Sequence, residues 1–191
     1  MDGRSRVVRA DVTVRIEEPV EDPNDRAAVG LVNPTGRHPL MAIVPGVSNV
    51  LLDVMPVSWG RWLRTRPGIL PPGVEAWTAR TGVEHADAAA FARSEQKRLP
   101  TATEFRAVWG TGRFPWGNEA DPSAGVPEPP RFDVVHEVAL FPPNKLGFYD
   151  LGAWLWNWTD DGSLLGGCAG LVPGGPESRP FGIRCAADLE P

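Results

Sequence analysis

Apolar and polar residues alternate most clearly near the start of the chain. In "VVRADVTVRI" (7–16), Val8, Ala10, Val12, Val14 and Ile16 fall on every second position, the period of a strand with one buried face. The acidic, proline-interrupted "EEPVEDPNDR" follows and reads as a solvated loop. The short apolar runs "AAVGLV", "MAIVPG" and "NVLLDVMPV" each predict a strand bounded by Pro, Gly or polar residues.

The period then changes. "PVSWGRWLRTRPG" predicts a helix capped by Ser58, with Trp59 and Trp62 three apart and Pro67-Gly68 at its end. "EHADAAAFARSEQKR" predicts a second, Ala-rich helix with Ala88, Phe91 and Ala92 on one stripe. "PTATEFRAVW" predicts a third, opened by a Thr101/Glu104 capping box and burying Phe105, Val108 and Trp109. Beyond residue 110 the pattern offers loops and short strands only. "LWNWT" predicts a strand with Trp154, Trp156 and Trp158 on one face, and "FGIRCA" a last short strand. Strands with a few short helices and much irregular chain predict an α+β fold.

Composition narrows the picture. At 191 residues the chain suits one domain with a short extension and can bury a core without staples. Gly and Pro, 21 each, predict ordered loops in place of long helices. Eight tryptophans against one tyrosine imply packed aromatic clusters. The net charge is −5 and no basic face gathers, which argues against a nucleic-acid partner. The opening "MDGRSRVVRADVTV" lacks an apolar signal core, and no apolar run reaches membrane length. Two cysteines in such a chain fit free thiols and a cytoplasmic setting. His38, His85 and His136 are scattered without metal-ligand spacing, and no P-loop, nucleophile elbow or dinucleotide fingerprint occurs.

Five stretches occur in a specific order: "KRLPTATEF", "RFPWGNE", "FPPNKLGFYDL", "WLWNWTDD" and "FGIRCAAD". Together they resemble the formylglycine-generating enzyme family, also called the sulfatase-modifying-factor domain. The resemblance covers roughly residues 40 to 191, and "MAIVPG", "DVMPVSWGRWLRT" and "GVEHADAAAFA" resemble weaker versions of the family's first strand and helices. It implies a fold similar to C-type lectins, with a small twisted core, two to three short helices and long loops. Residues 36–191 form that domain in this reading, and residues 1–35 are an added strand and loop packed on it.

Most of the motif residues read as architecture. Pro115 to Asn118 predicts a turn with Gly117 at positive φ, and Arg98 and Arg184 predict guanidiniums that fix loops. The resemblance also implies a calcium site held by the residue after the tyrosine and by the central residue of a Trp-x-Trp motif, with backbone carbonyls between them. Those positions are Asp150 and Asn157 here, so an amide replaces a carboxylate and any retained calcium site is weak.

The family's enzymes bind copper(I) between two close thiolates and oxidise a substrate cysteine to formylglycine, a soft-ligand match. In this chain Cys168 occupies the family's serine position after "GG", and Cys185 matches the cysteine of the last motif, which is not one of the copper pair. "GLVPGGPESRP" stands where the active-site segment belongs. Cys185 therefore reads as a buried core thiol, and Cys168 as structural or incidental.

The expected function is a non-catalytic protein-binding or ligand-binding module of a bacterial-type multiprotein system, partnered by another protein and by neither nucleic acid nor membrane. Trp116, Trp154, Trp156 and Trp158 are its candidate contact residues, with core packing as their other reading. A receptor diversified by a retroelement would carry a terminal segment rich in Asn, Tyr and Ser, which "GLVPGGPESRP" is not. The alternative is a divergent copper-dependent oxidase, which needs Cys168 and Cys185 to converge. A third reading is a structural subunit whose N-terminal edge strand pairs with another chain.

Overall fold

The computed structural model describes residues 5–9, 12–16, 31–32, 41–119, 121, 136–152, 154–167, 172–173 and 180–189. The N-terminal alternation does not build one strand. It forms β1 (Ser5–Arg9) and β2 (Val12–Ile16), paired antiparallel with an irregularity between Val7 and Arg9, and β3 (Leu31–Val32) pairs on the far side of β2. A period of two is shared by one long strand and by two strands of a hairpin, so alternation alone does not locate the turn.

The central sheet contains β4 (Met41–Ile43), β5 (Val50–Asp53) and β10 (Ala186–Asp188), with β5 in the middle and both pairings antiparallel. Val50 and Leu52 face a core of Phe105, Val108, Trp109, Trp154 and Leu155. Arg98 pairs with Ala186 in an isolated bridge on the outer side of β10.

Three helices follow. In α1 (Trp59–Thr65) the Ser58 hydroxyl accepts from the Arg61 N–H at 3.2 Å. The capping box of α3 (Ala102–Trp109) is reciprocal, at 3.1 Å from Glu104 N–H to Thr101 Oγ1 and 2.8 Å from Thr101 N–H to Glu104 Oε2. The second helix, α2 (His85–Ser94), stops four residues short of its sequence pattern. Gln96 turns to φ 57°, Lys97 N–H donates to the Ala92 carbonyl and Gln96 N–H to that of Arg93, a Schellman end made without glycine. That turn sends Glu95 and Lys97 inward to ion partners, which compensates for an unfavourable backbone.

A four-stranded sheet closes the fold, in the order β8 (Val172–Pro173), β7 (Leu164–Gly166), β6 (Trp156–Trp158), β9 (Phe181–Gly182). Two sequence expectations change here. "FGIRCA" is not one strand: Phe181–Gly182 runs parallel to β6, whereas Ala186–Asp188 pairs with β5 in another sheet. Trp154 does not share a face with Trp156 and Trp158, because β6 begins only at Trp156. Trp154 packs in the main core, and Trp156 packs with Leu164 and Phe181. The mixed α+β architecture is as the pattern predicts.

Candidate functional site

The last motif passes through the centre of the molecule. Arg184 is fully buried. Its Nη1 donates to the Asp53 carbonyl at 2.7 Å and its Nη2 to the Tyr149 carbonyl at 2.6 Å. One side chain thus ties β5 to the tyrosine loop, the loop-fixing role expected of it. Burial lowers its pKa to about 10, only partly offset by Asp150 and Asp53. Arg98 acts similarly at the surface, forked onto Glu104 and onto Asp188.

Cys185 lies between β9 and β10 and is fully buried among Val57, Trp62, Phe91, Leu99 and Ile183. Its N–H donates to an Asp53 carboxylate oxygen at 2.8 Å. Burial pushes the thiol well above its ordinary range, and the Asp53 charge pushes it further. Cys185 is walled in by α1, α2 and the central sheet, so neither a copper ion nor a substrate reaches it in this fold. Cys168, required by the same reading, lies outside the described residues.

Around Asp53 is a cluster that motif reading missed. Arg61 donates to both Asp53 oxygens, at 2.7 and 3.3 Å, and to Glu95 at 2.5 Å; Lys97 lies 3.4 Å from each carboxylate. Asp53 has no exposed surface and Arg61 only 7%. Burial alone would raise the Asp53 pKa, but Arg61 and Lys97 outweigh it and hold it below the ordinary carboxylate value. Glu95 is lowered for the same reason. The signal in the sequence was a lone acid inside the apolar run "VLLDVMPV". Such a residue needs a buried partner.

The calcium positions are both interior. Asp150 is 4% exposed with φ 53°, and its Oδ2 accepts from the Ala139 N–H at 2.6 Å. Asn157 has no exposed surface, and its amide donates to the Leu155 carbonyl at 3.4 Å. Each has one buried oxygen without a partner, Asp150 Oδ1 and Asn157 Oδ1. Among the described residues no three acidic, His or Cys side chains gather. Burial raises the Asp150 pKa to about 6. Calcium takes six to eight hard oxygens with charge among them; Asp150 Oδ1 and Asn157 Oδ1 are the side-chain oxygens these two positions would offer it, and backbone carbonyls would have to supply the rest.

The four candidate tryptophans divide. Trp154 and Trp156 are buried, at 1% and 5% exposure, with indole N–H groups that have no partner. Trp158 is half-buried. Its indole donates to the Val83 carbonyl, and its ring meets His85 and Phe181 edge-on. Trp116 is also half-buried, stacked at 5.3 Å on Phe114 in a turn where Gly117 has φ 152°. Only these last two offer surface. The large apolar residues exposed among those described are Ile69 at 92%, Leu140 at 50% and Leu146 at 37%, none of which periodicity marked. His85 Nε2 lies 3.0 Å from the Thr159 carbonyl, and His136 packs edge-on against Phe141 and Trp154. His38 lies outside the described residues.

Residues 61–176 match the family model of the sulfatase-modifying factor enzyme 1-like domain, the formylglycine-generating enzyme family. The chain belongs to this family. It is 34% identical over 88 residues to the inactive C-alpha-formylglycine-generating enzyme 2 of Bos taurus, a match spanning 38% of this chain and 29% of that protein. The chain therefore covers less than a third of that relative's length. Among solved structures the fold is similar to variable protein 1 of Treponema denticola, with TM-score 0.57 at 16% identity over 73% of this chain and 84% of that one. It is also similar to CarF, with TM-score 0.53 at 16% identity over 74% and 87%. No helix among the described residues is long and apolar enough to cross a membrane.

Proposed function

We propose that this family member is non-catalytic and serves as a protein-binding or ligand-binding module in a multiprotein system. The observation that carries the reading is the burial of Cys185, which closes off one of the two thiols that the oxidase alternative needs. Catalysis in this family as we expect it needs two accessible thiolates. The inactive designation of the Bos taurus relative supports the same reading. The partner is another protein met in the cytoplasm, not nucleic acid or membrane, consistent with a net charge of −5. Contact falls to Trp116, Trp158 and exposed Ile69, in place of the buried Trp154 and Trp156. Copper belongs only to the oxidase alternative, and any calcium at Asp150 and Asn157 is weakly held.

The test is turnover. The reduced protein is mixed with copper(I), oxygen, a reductant and cysteine peptides, including ones with the sulfatase CxPxR motif, and aldehyde is sought by mass spectrometry. We expect none. Aldehyde that disappears in Cys168→Ala would establish the oxidase alternative and overturn the proposal.

A further inference from the structure

The central sheet has two buried faces, and the described side chains account for only one and a half of them. Successive residues of β5 alternate between faces. Val50 and Leu52 enter the main core, so Leu51 and Asp53 lie on the other side. At the Asp53 end that second face is covered by α1 and α2, through Arg61, Glu95 and the cluster holding Cys185, Trp62 and Phe91. The cover stops there. Met41 stands opposite Asp53 in the register, and Ile43 and Ala187 stand opposite Leu51 on its two sides. These residues belong to a separate cluster, whose described apolar members are Met41, Leu51 and Ala187 with Ile43 and Leu189 at its margin.

That cluster is one layer thick, yet Met41, Leu51 and Ala187 are only 1%, 2% and 2% exposed. A sheet face excludes water to this degree only under a second layer. Neither helix contributes an apolar residue to the cluster. β3 approaches β4, the strand that carries Met41 and Ile43, and the chain runs from one to the other through residues 33–40. β3 is part of the three-stranded sheet β1-β2-β3. The sequence of β2 repeats Val12, Val14 and Ile16 at every second position, the pattern of a sheet with one face to bury.

We propose that the N-terminal sheet is this second layer, seated on the Met41–Leu51–Ala187 face and covering what α1 and α2 leave bare. The extension is then a docked cover on an apolar surface, not an appendage. The ion cluster at Asp53 marks the seam between the two covers.

The test uses the full chain with a protease site substituted into residues 34–38, so that the protein folds before it is cut. After cutting, the N-terminal piece should co-elute with the body on size exclusion. Mild urea should release it, with a several-fold rise in fluorescence of an apolar-surface dye and self-association of the stripped body. Ala187→Glu in the same chain should loosen the cut piece without urea. A piece that separates at once, with no dye response and an unchanged melting temperature, would overturn the proposal. So would an uncut dimer whose dissociation exposes the dye site, because the occupant of the face would then be a second copy.

Discussion

Asp53→Asn keeps the shape of the most heavily bonded carboxylate among the described residues and removes its charge. Its oxygens receive Arg61 at 2.7 and 3.3 Å, Lys97 at 3.4 Å and the Cys185 N–H at 2.8 Å. The cluster holds two cations and two carboxylates, so the variant leaves Arg61 and Lys97 to share Glu95 alone, with both cationic side chains under a tenth exposed. Removing one partner of such a buried set costs about 3–5 kcal/mol. For a domain of this size that lowers the melting temperature by roughly 6–20 °C, at about 2–4 °C per kcal/mol. Tryptophan fluorescence in a urea titration, backed by a thermal melt, measures both. The pH dependence gives a second check. Asp53 and Glu95 have lowered values in the fold, so their contribution is present above the unfolded-state values of about 4. It is lost as the pH falls through the lower folded values. The gap between wild type and variant should be full at neutral pH and shrink below about pH 4. A loss under about 1 kcal/mol at neutral pH, or a gap that does not depend on pH, would refute a charge-held seam.

In a Cys168→Ala background, Cys185 should resist a thiol reagent until denaturant is added, read by absorbance; prompt reaction in the native state would contradict its burial. Asp150 has a raised value, about 6, so the native state loses stability as the pH rises from about 4 through 6. Asp150→Asn should therefore leave the melting temperature at pH 7.5 unchanged or higher and flatten that stretch of the profile, while a clear drop would mean that the charged form is used, as by a metal. Millimolar calcium should not shift the wild-type melting curve, since only a ligand bound well below its working concentration stabilises measurably. Gly152→Ala should cost about 1–3 kcal/mol by overpacking, because an added Cβ would meet Pro115 Cδ at 2.5 Å and Trp109 Cη2 at 2.7 Å; denaturant titration reads the loss.

Much of the fold was legible because local signals were strong. Ser58 and the Thr101/Glu104 box opened helices where they were expected, since a cap satisfies backbone donors through residues only three apart. What failed were inferences needing distant partners. The break between β1 and β2, and the division of "FGIRCA" between two sheets, depend on which strand lies alongside. The early end of α2 depends on Glu95 and Lys97 finding Arg61 and Asp53, up to 44 positions away. Neither period nor propensity carries that information.

The family motifs and the chemistry must be read separately. Arg184 of the last motif holds β5 and the tyrosine loop through backbone carbonyls. Asn144 of "PPNKLGF" accepts from the Leu146 and Phe148 N–H groups and donates to the Val108 carbonyl. Each closes a loop by satisfying backbone groups, a demand set by the fold whatever the protein does. A catalytic group has the opposite requirement: it must remain reachable and ionisable. Cys185 fails both conditions because the sheet and α1–α2 close over it. Under the non-catalytic proposal, the chain keeps the motifs that build this scaffold without the pair of thiolates that an oxidase would need. The two properties are separable by experiment. Arg184→Met, which leaves the Asp53 and Tyr149 carbonyls without their donor, should cost about 2–6 kcal/mol at about 1–3 kcal/mol per unsatisfied group. Cys168→Ala separates the structural from the incidental reading of that cysteine: an incidental one leaves the denaturation midpoint unchanged within about 0.5 kcal/mol, the usual range of a substitution outside core and network. If Cys168→Ala unfolds the domain instead, that cysteine is part of the scaffold, and its place in the family's motif is architectural as well.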